Sequence, residues 1–277
     1  MIKDDNLLRL VPEIHRARGW RLYAKNGLRI VDLWQYGGRA ILGHTPPGLL
    51  RAFKNSAERG LFAPLPHFAE ARLLKALAAL IPGRRFYLYP GREQLGAALA
   101  VFGTRGGDRI AVWRPFLPIP AAALLVPVLP LPFSSPEVLA VETSRTGTVF
   151  LDKDATSAIF PPVLLSAAAR SVYDLLAAPE RGKPRFPRLE KALNTAAGIH
   201  GAPGLWRREG IYLYYAGREA YPAVFRRFLD GGFLLPPSPD DPAILPGELS
   251  PGEEAKLAAL FSRSDESRHN AGGNVSS

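Results

Sequence analysis

Three short stretches set cationic side chains beside aromatic ones: Arg84-Arg85-Phe86-Tyr87, Trp206-Arg207-Arg208 and Phe225-Arg226-Arg227-Phe228. Such pairings can grip a phosphate through the cation and a base through the ring. None belongs to a recognised nucleic-acid module, so nucleic acid is not the expected partner and amphipathic surface is the default. A strand over Arg85–Tyr89 runs into Pro90-Gly91-Arg92-Glu93-Gln94, and a helix follows over Leu95–Phe102. By themselves Gly91 suits a tight strand-to-helix turn, and Glu93 is a first-turn acid favoured by the helix dipole. Trp113-Arg114-Pro115-Phe116 ends the next strand and reads as a core Trp and Phe. One lysine, Lys153, stands between Ala76 and Gly182, flanked by Asp152 and Asp154, which reads as a solvated turn.

Other chemistry is excluded by residue type or spacing. The chain has no Cys, which removes disulfides, thiolate metal sites and thiol nucleophiles. His15, His44, His67, His200 and His269 show no metal-ligand spacing. Ser134, Ser135 and Ser166 lack a Gly-x-Ser-x-Gly elbow. The turn at 103–108 lacks the Gly-Lys-[Ser/Thr] of a phosphate loop.

The elements that would position these groups alternate between strand and helix, which makes the class α/β or α+β. An arm with a helical turn or two opens the chain through residue 18. Two alternating apolar runs then flank Asn26-Gly27, a strong hairpin signal. Thr45 is a candidate cap for a helix ending near Arg59-Gly60, and a second helix covers Phe68–Ile81. Strands are expected at Asp108–Trp113, Ala122–Leu131 and Val138–Val141, and a helix at Ser166–Leu176. The last structured region has a strand at Ile211–Tyr215, a helix at Tyr221–Leu229, a strand at Gly232–Leu235 and a helix at Pro251–Phe261. The most apolar stretch, Ile119–Phe133, is too short and too rich in proline to span a bilayer, so no membrane partner is expected. The N-terminus shows no secretory pattern, which points to the cytoplasm. Lys plus Arg number 35 against 25 acids, a net +10 that favours anionic partners, although the arginines are scattered rather than massed.

Several segments together resemble the class III aminotransferases. Gly19, Leu22, Gly27, Asp32, Leu42, Gly43, His44 and Pro47 stand where that family has its opening hairpin and Leu-Gly-His-x-x-Pro turn, with Lys25-Asn26 replacing the acidic pair of the hairpin. Glu58-Arg59-Gly60-Leu61, a Leu-rich helix and Tyr89-Pro90-Gly91-Arg92-Glu93-Gln94 resemble the path into the Ser-Gly-[Ser/Thr]-Glu-Ala motif. Gly232-Phe233-Leu234-Leu235-Pro236-Pro237-Ser238 and Leu249-Ser250 resemble the C-terminal lobe. Glu-Arg-Gly-Leu makes glutamate-1-semialdehyde aminomutase the nearest subfamily.

The resemblance implies a fold-type-I, pyridoxal phosphate (PLP) transferase scaffold with a reduced large-domain sheet and a small α+β lobe built from both ends of the chain. It implies residues 1–60 in the small lobe, 61–177 as the reduced large domain, 178–203 as a linker, 204–262 as the C-terminal lobe and 263–277 as a disordered tail. It also implies a homodimer, or a heterodimer with a full-length relative. Gly91, Arg92 and Glu93 then match the phosphate-binding helix start, with Pro90 and Arg92 replacing hydroxyl residues, and Trp113 lies near the ring-stacking position. The family's ring-binding Asp and Schiff-base Lys have no clear counterpart. Val141-Glu142-Thr143 has lost the acid pair, and too few residues separate Lys153 from the helix after Pro161. The shortfall falls between about residues 115 and 165. The expectation is therefore a catalytically degenerate relative without PLP, binding a small phosphate or carboxylate metabolite or a partner protein. Two alternatives remain: an active transaminase using Lys153 with Asp152 or Glu142 near the ring nitrogen, and a basic nucleic-acid-binding protein.

Overall fold

The computed structural model describes residues 5–104, 110–131, 133, 135–143, 157–196 and 205–271. In chain order the elements begin with α1 (Asp5–Leu8), β1 (Ile14–Arg18), β2 (Arg21–Ala24) and β3 (Arg29–Asp32). The hairpin forms at Asn26-Gly27: Gly27 takes φ 83°, and the Asn26 carboxamide oxygen accepts from the Leu28 N–H. The expected arm holds one helical turn, α1, and beyond it the strand β1, which pairs antiparallel with β2.

Next come α2 (Pro47–Ala57) and α3 (Phe68–Leu80). Thr45 does not cap α2. The cap position is Pro46, which makes no side-chain cap bond, and the helix opens on Pro47 at its first turn. His67 caps α3, its Nδ1 accepting from the Ala69 N–H at 3.1 Å. Then follow β4 (Arg84–Tyr89), α4 (Arg92–Thr104), β5 (Ile110–Trp113), β6 (Leu124–Pro127), β7 (Glu137–Glu142) and α5 (Pro162–Leu176). The strand expected at Ala122–Leu131 is confined to Leu124–Pro127, and proline at its end gives no ladder N–H.

The chain continues through α6 (Pro187–Ala196), β8 (Trp206–Glu209), β9 (Tyr212–Tyr215), α7 (Tyr221–Asp230), β10 (Phe233–Leu234), β11 (Ala243–Ile244) and α8 (Pro251–Ala271). Residues 178–203, expected as a linker, thus hold α6, whose Leu189, Ala192 and Leu193 are buried. Residues 263–271, expected as part of a disordered tail, continue α8 in helical backbone. Their polar sequence carries no apolar period to announce a helix. No helix among the described residues is long and apolar enough to cross a membrane.

The chain forms two compact units, residues 38–179 and a second made of residues 1–37 with 180–277. In the first, the sheet order is β4-β7-β6-β5. β7 runs antiparallel to both neighbours and β5 parallel to β6. Successive β4 side chains alternate between faces. Phe86 and Leu88 join Leu73, Leu77 and Val172 of α3 and α5, while Tyr87 and Tyr89 join Leu95 and Ala98 of α4. The sheet is therefore buried between two helical layers, as an α/β domain requires.

In the second unit, β1-β2-β3 is extended by β10, parallel to β3, so the two ends of the chain share one sheet. A second sheet, β11-β9-β8, stands beside it in sequence. Phe228 of α7 lies edge-to-face 5.2 Å from Phe261 of α8 and 5.9 Å from Trp206 of β8. Buried Arg181 donates to the Gln35 carboxamide and the Leu245 carbonyl and lies over the Trp20 ring. Burial lowers its pKa to about 10.

A capping box starts α8: the Ser250 hydroxyl accepts from the Glu253 N–H, and the Glu253 carboxylate accepts from the Ser250 N–H. That carboxylate also takes two hydrogen bonds from Arg21 on β2, at 3.0 and 2.8 Å. Arg21, with help from Ser250, holds the Glu253 carboxyl at about 2 against an ordinary 4.5. The unfolded chain binds this proton more readily, so the contribution is complete above the ordinary value and is lost as pH falls toward 2. Arg21→Met is expected to cost about 2 kcal/mol near neutral pH, with the gap to the parent closing as pH approaches 2. Thermal melts across that range measure it; a gap independent of pH would contradict it.

Candidate functional site

The segment with the strongest chemical pointer is the junction of β4 and α4. Tyr89 ends the strand, Pro90-Gly91 turns the chain, and Arg92 opens the helix. Gly91 does not adopt a left-handed φ. A Cβ there would meet only the end of the Gln94 side chain, at 3.3 Å. Its glycine identity is therefore not demanded by strain. Glu93 is exposed in the first turn, where the dipole favours it. The first N–H groups of α4 have no intrahelical acceptor, as at any helix start.

A carboxylate already occupies this neighbourhood. Glu137 opens β7 directly opposite Tyr89 in the ladder and is 8% exposed. The Arg39 guanidinium pairs with it and also donates to the Phe133 carbonyl at 2.9 Å. Arg92 Nε lies 3.8 Å from the same Glu137 oxygen while its side chain stays exposed. The two cations that could serve an incoming anion thus face an internal one. Sequence reading passed over both Glu137 and Arg39. The only signal was an acid abutting the apolar run Val138–Val141.

The other expected residues are dispersed. Trp113 ends β5, at the opposite edge of the sheet from β4. It is buried in the cluster shared with α3 and α5, its indole N–H donating to the Leu117 carbonyl at 3.0 Å. Glu142 closes β7, about 17 Å along the strand from Glu137 at ~3.4 Å per residue. Lys153 and Asp152 lie outside the described residues. The described lysines of this unit, Lys54 and Lys75, are exposed on α2 and α3. The Tyr89 hydroxyl is buried and meets no hydrogen-bond partner. Burial, with a lesser contribution from Tyr87, raises its pKa to about 12, so it stays protonated.

Three arginines of two basic–aromatic clusters are engaged within the fold. Arg84 donates to the Ala122 and Ala123 carbonyls. Arg207 lies 4.4 Å from the Tyr214 ring centroid and pairs with Glu209. Arg208 donates to the Gly210 carbonyl. No group of acids and histidines able to hold a metal ion exists among the described residues.

A mixed sheet between helical layers, a small lobe closed by both chain ends, and a strand–Gly–helix junction make up a fold shared with solved PLP-dependent aminotransferases. Ornithine aminotransferase from Plasmodium yoelii superposes with a TM-score of 0.65 at 11% identity, across 92% of this chain and 93% of that one. A transaminase with PLP bound superposes with a TM-score of 0.67 at 14% identity, across 95% and 92%. No family model matches the sequence. An uncharacterised protein of Treponema pallidum is 29% identical over 95% of this chain and 97% of its own. Glutamate-1-semialdehyde 2,1-aminomutase from Thermoplasma acidophilum is 38% identical over 60 residues, 22% of this chain and 14% of that protein.

Proposed function

We propose that this chain keeps the aminotransferase scaffold without the aminotransferase reaction, and acts by binding rather than by transamination. The observation that carries this reading is Glu137, held by Arg39 and Arg92 at the start of α4. A PLP phosphate placed at Gly91–Glu93 would bring a dianion up to a buried carboxylate, and like charges that close disfavour each other strongly. Arg39 and Arg92 already answer the charge that a phosphate would need. The residues at this junction therefore do not fit the cofactor's phosphate.

Lysine supply supports the same reading. PLP chemistry requires a lysine amine for the Schiff base, and Lys153 is the one lysine between Ala76 and Gly182. It stands only eight residues before Pro161, in the stretch that is short against the family pattern. Titration of the purified chain with PLP tests the reading. The spectrum should remain that of free PLP. A saturable band at about 410–430 nm that vanishes in Lys153→Ala would establish an internal Schiff base and overturn it.

A further inference from the structure

The first unit carries a concave site whose lining includes no residue of the α4 junction. α2, α3 and α5 line an open cleft of about 460 Å³. Arg51 and Asn55 lie one turn apart on α2, and Arg59 follows just past its end, so the three recur every four residues along one face. Arg72 enters from α3 and Arg170 from α5, and His67 sits at the α3 cap. Four guanidiniums, scattered over 120 residues of sequence, therefore line one cleft.

Their charge is largely uncompensated. Arg170 pairs with Asp174 at 2.6 Å. Arg51, Arg59 and Arg72 have no carboxylate partner among the described residues. The Debye length at physiological salt is roughly 8 Å, so cations gathered on one cleft of this volume repel one another unless an anion enters. Guanidinium forks match phosphoryl oxygens in pairs, which a lysine ammonium cannot do. Asn55 and His67 add polar groups that can fix orientation. The volume suits a metabolite rather than a strand of nucleic acid.

We propose that this cleft binds a small phosphoryl-bearing anion of two or more negative charges. The proposal does not depend on the α4 junction, since none of its residues lies there. Isothermal titration of the full chain with sodium pyrophosphate tests it. The expected result is a saturable one-site heat, with affinity reduced at least tenfold in Arg59→Gln/Arg72→Gln and unchanged in Arg207→Gln/Arg208→Gln on the other unit. Circular dichroism checks that the variants are folded, and the single variant Arg51→Gln gives a milder independent loss. No saturable heat, or an equal loss in both double variants, would overturn the proposal. So would tight binding of an oligothymidylate that pyrophosphate cannot displace.

Discussion

Glu137→Ala is expected to destabilise the protein by about 3–5 kcal/mol, the usual consequence of deleting one member of a buried ion pair. Arg39 is 11% exposed at its side chain and would lose its carboxylate while remaining inside. The Phe133 carbonyl, which also accepts from Arg39, supplies no countercharge. Against a typical domain stability of about 5–15 kcal/mol the loss is large, so urea unfolding should detect it directly. Glu137→Gln keeps the shape and an acceptor and should cost markedly less. An alanine variant within about 1 kcal/mol of the parent would mean that the pair is not held as described. The variant also bears on function, because the same carboxylate is what makes the α4 junction unfit for a phosphate.

Phe228→Ala is the second large effect, also about 3–5 kcal/mol. Phe228 is fully buried and is shared by α7, α8 and β8 through Phe261 and Trp206. Removing the ring leaves a void that two rigid aromatics cannot collapse into, so the cavity cost adds to the lost transfer energy. Phe228→Leu fills part of that space and should cost about 1.5 kcal/mol or less. Guanidinium unfolding of both variants measures the difference. Equal, small losses would show that the cluster is loosely packed.

What the sequence made legible was local. Asn26-Gly27 marked a hairpin because two residues that tolerate positive φ needed no distant partner. The 3-and-4 spacing of Leu73, Leu77 and Leu80 marked α3, and Gly232 marked the entry to β10. The order of those signals was enough to resemble a family and to place both chain ends in one lobe. Elements without an apolar period were not legible. α6 was hidden in a stretch rich in Pro, Arg and Lys, and the end of α8 in a polar run. β1 is held by its pairing with β2, a contact that no single strand announces.

The site was harder for a related reason. Gly91, Arg92 and Glu93 could be picked out because they are adjacent. The meaning of that junction comes from Glu137 and Arg39, which lie 98 residues apart and meet only through the sheet. Likewise the cleft arginines looked like dispersed surface charge, because three separate helices bring them together. Charge counted along a chain says nothing about charge gathered in space.

Borohydride reduction tests the central claim most directly. The purified chain would be incubated with excess PLP, reduced and digested, and its lysine peptides weighed by mass spectrometry. The expected result is no lysine carrying the reduced phosphopyridoxyl group at near one per chain, with only scattered trace labelling of exposed lysines. Stoichiometric labelling of Lys153, blocked by prior removal of PLP, would contradict a degenerate scaffold and restore the aminotransferase reaction.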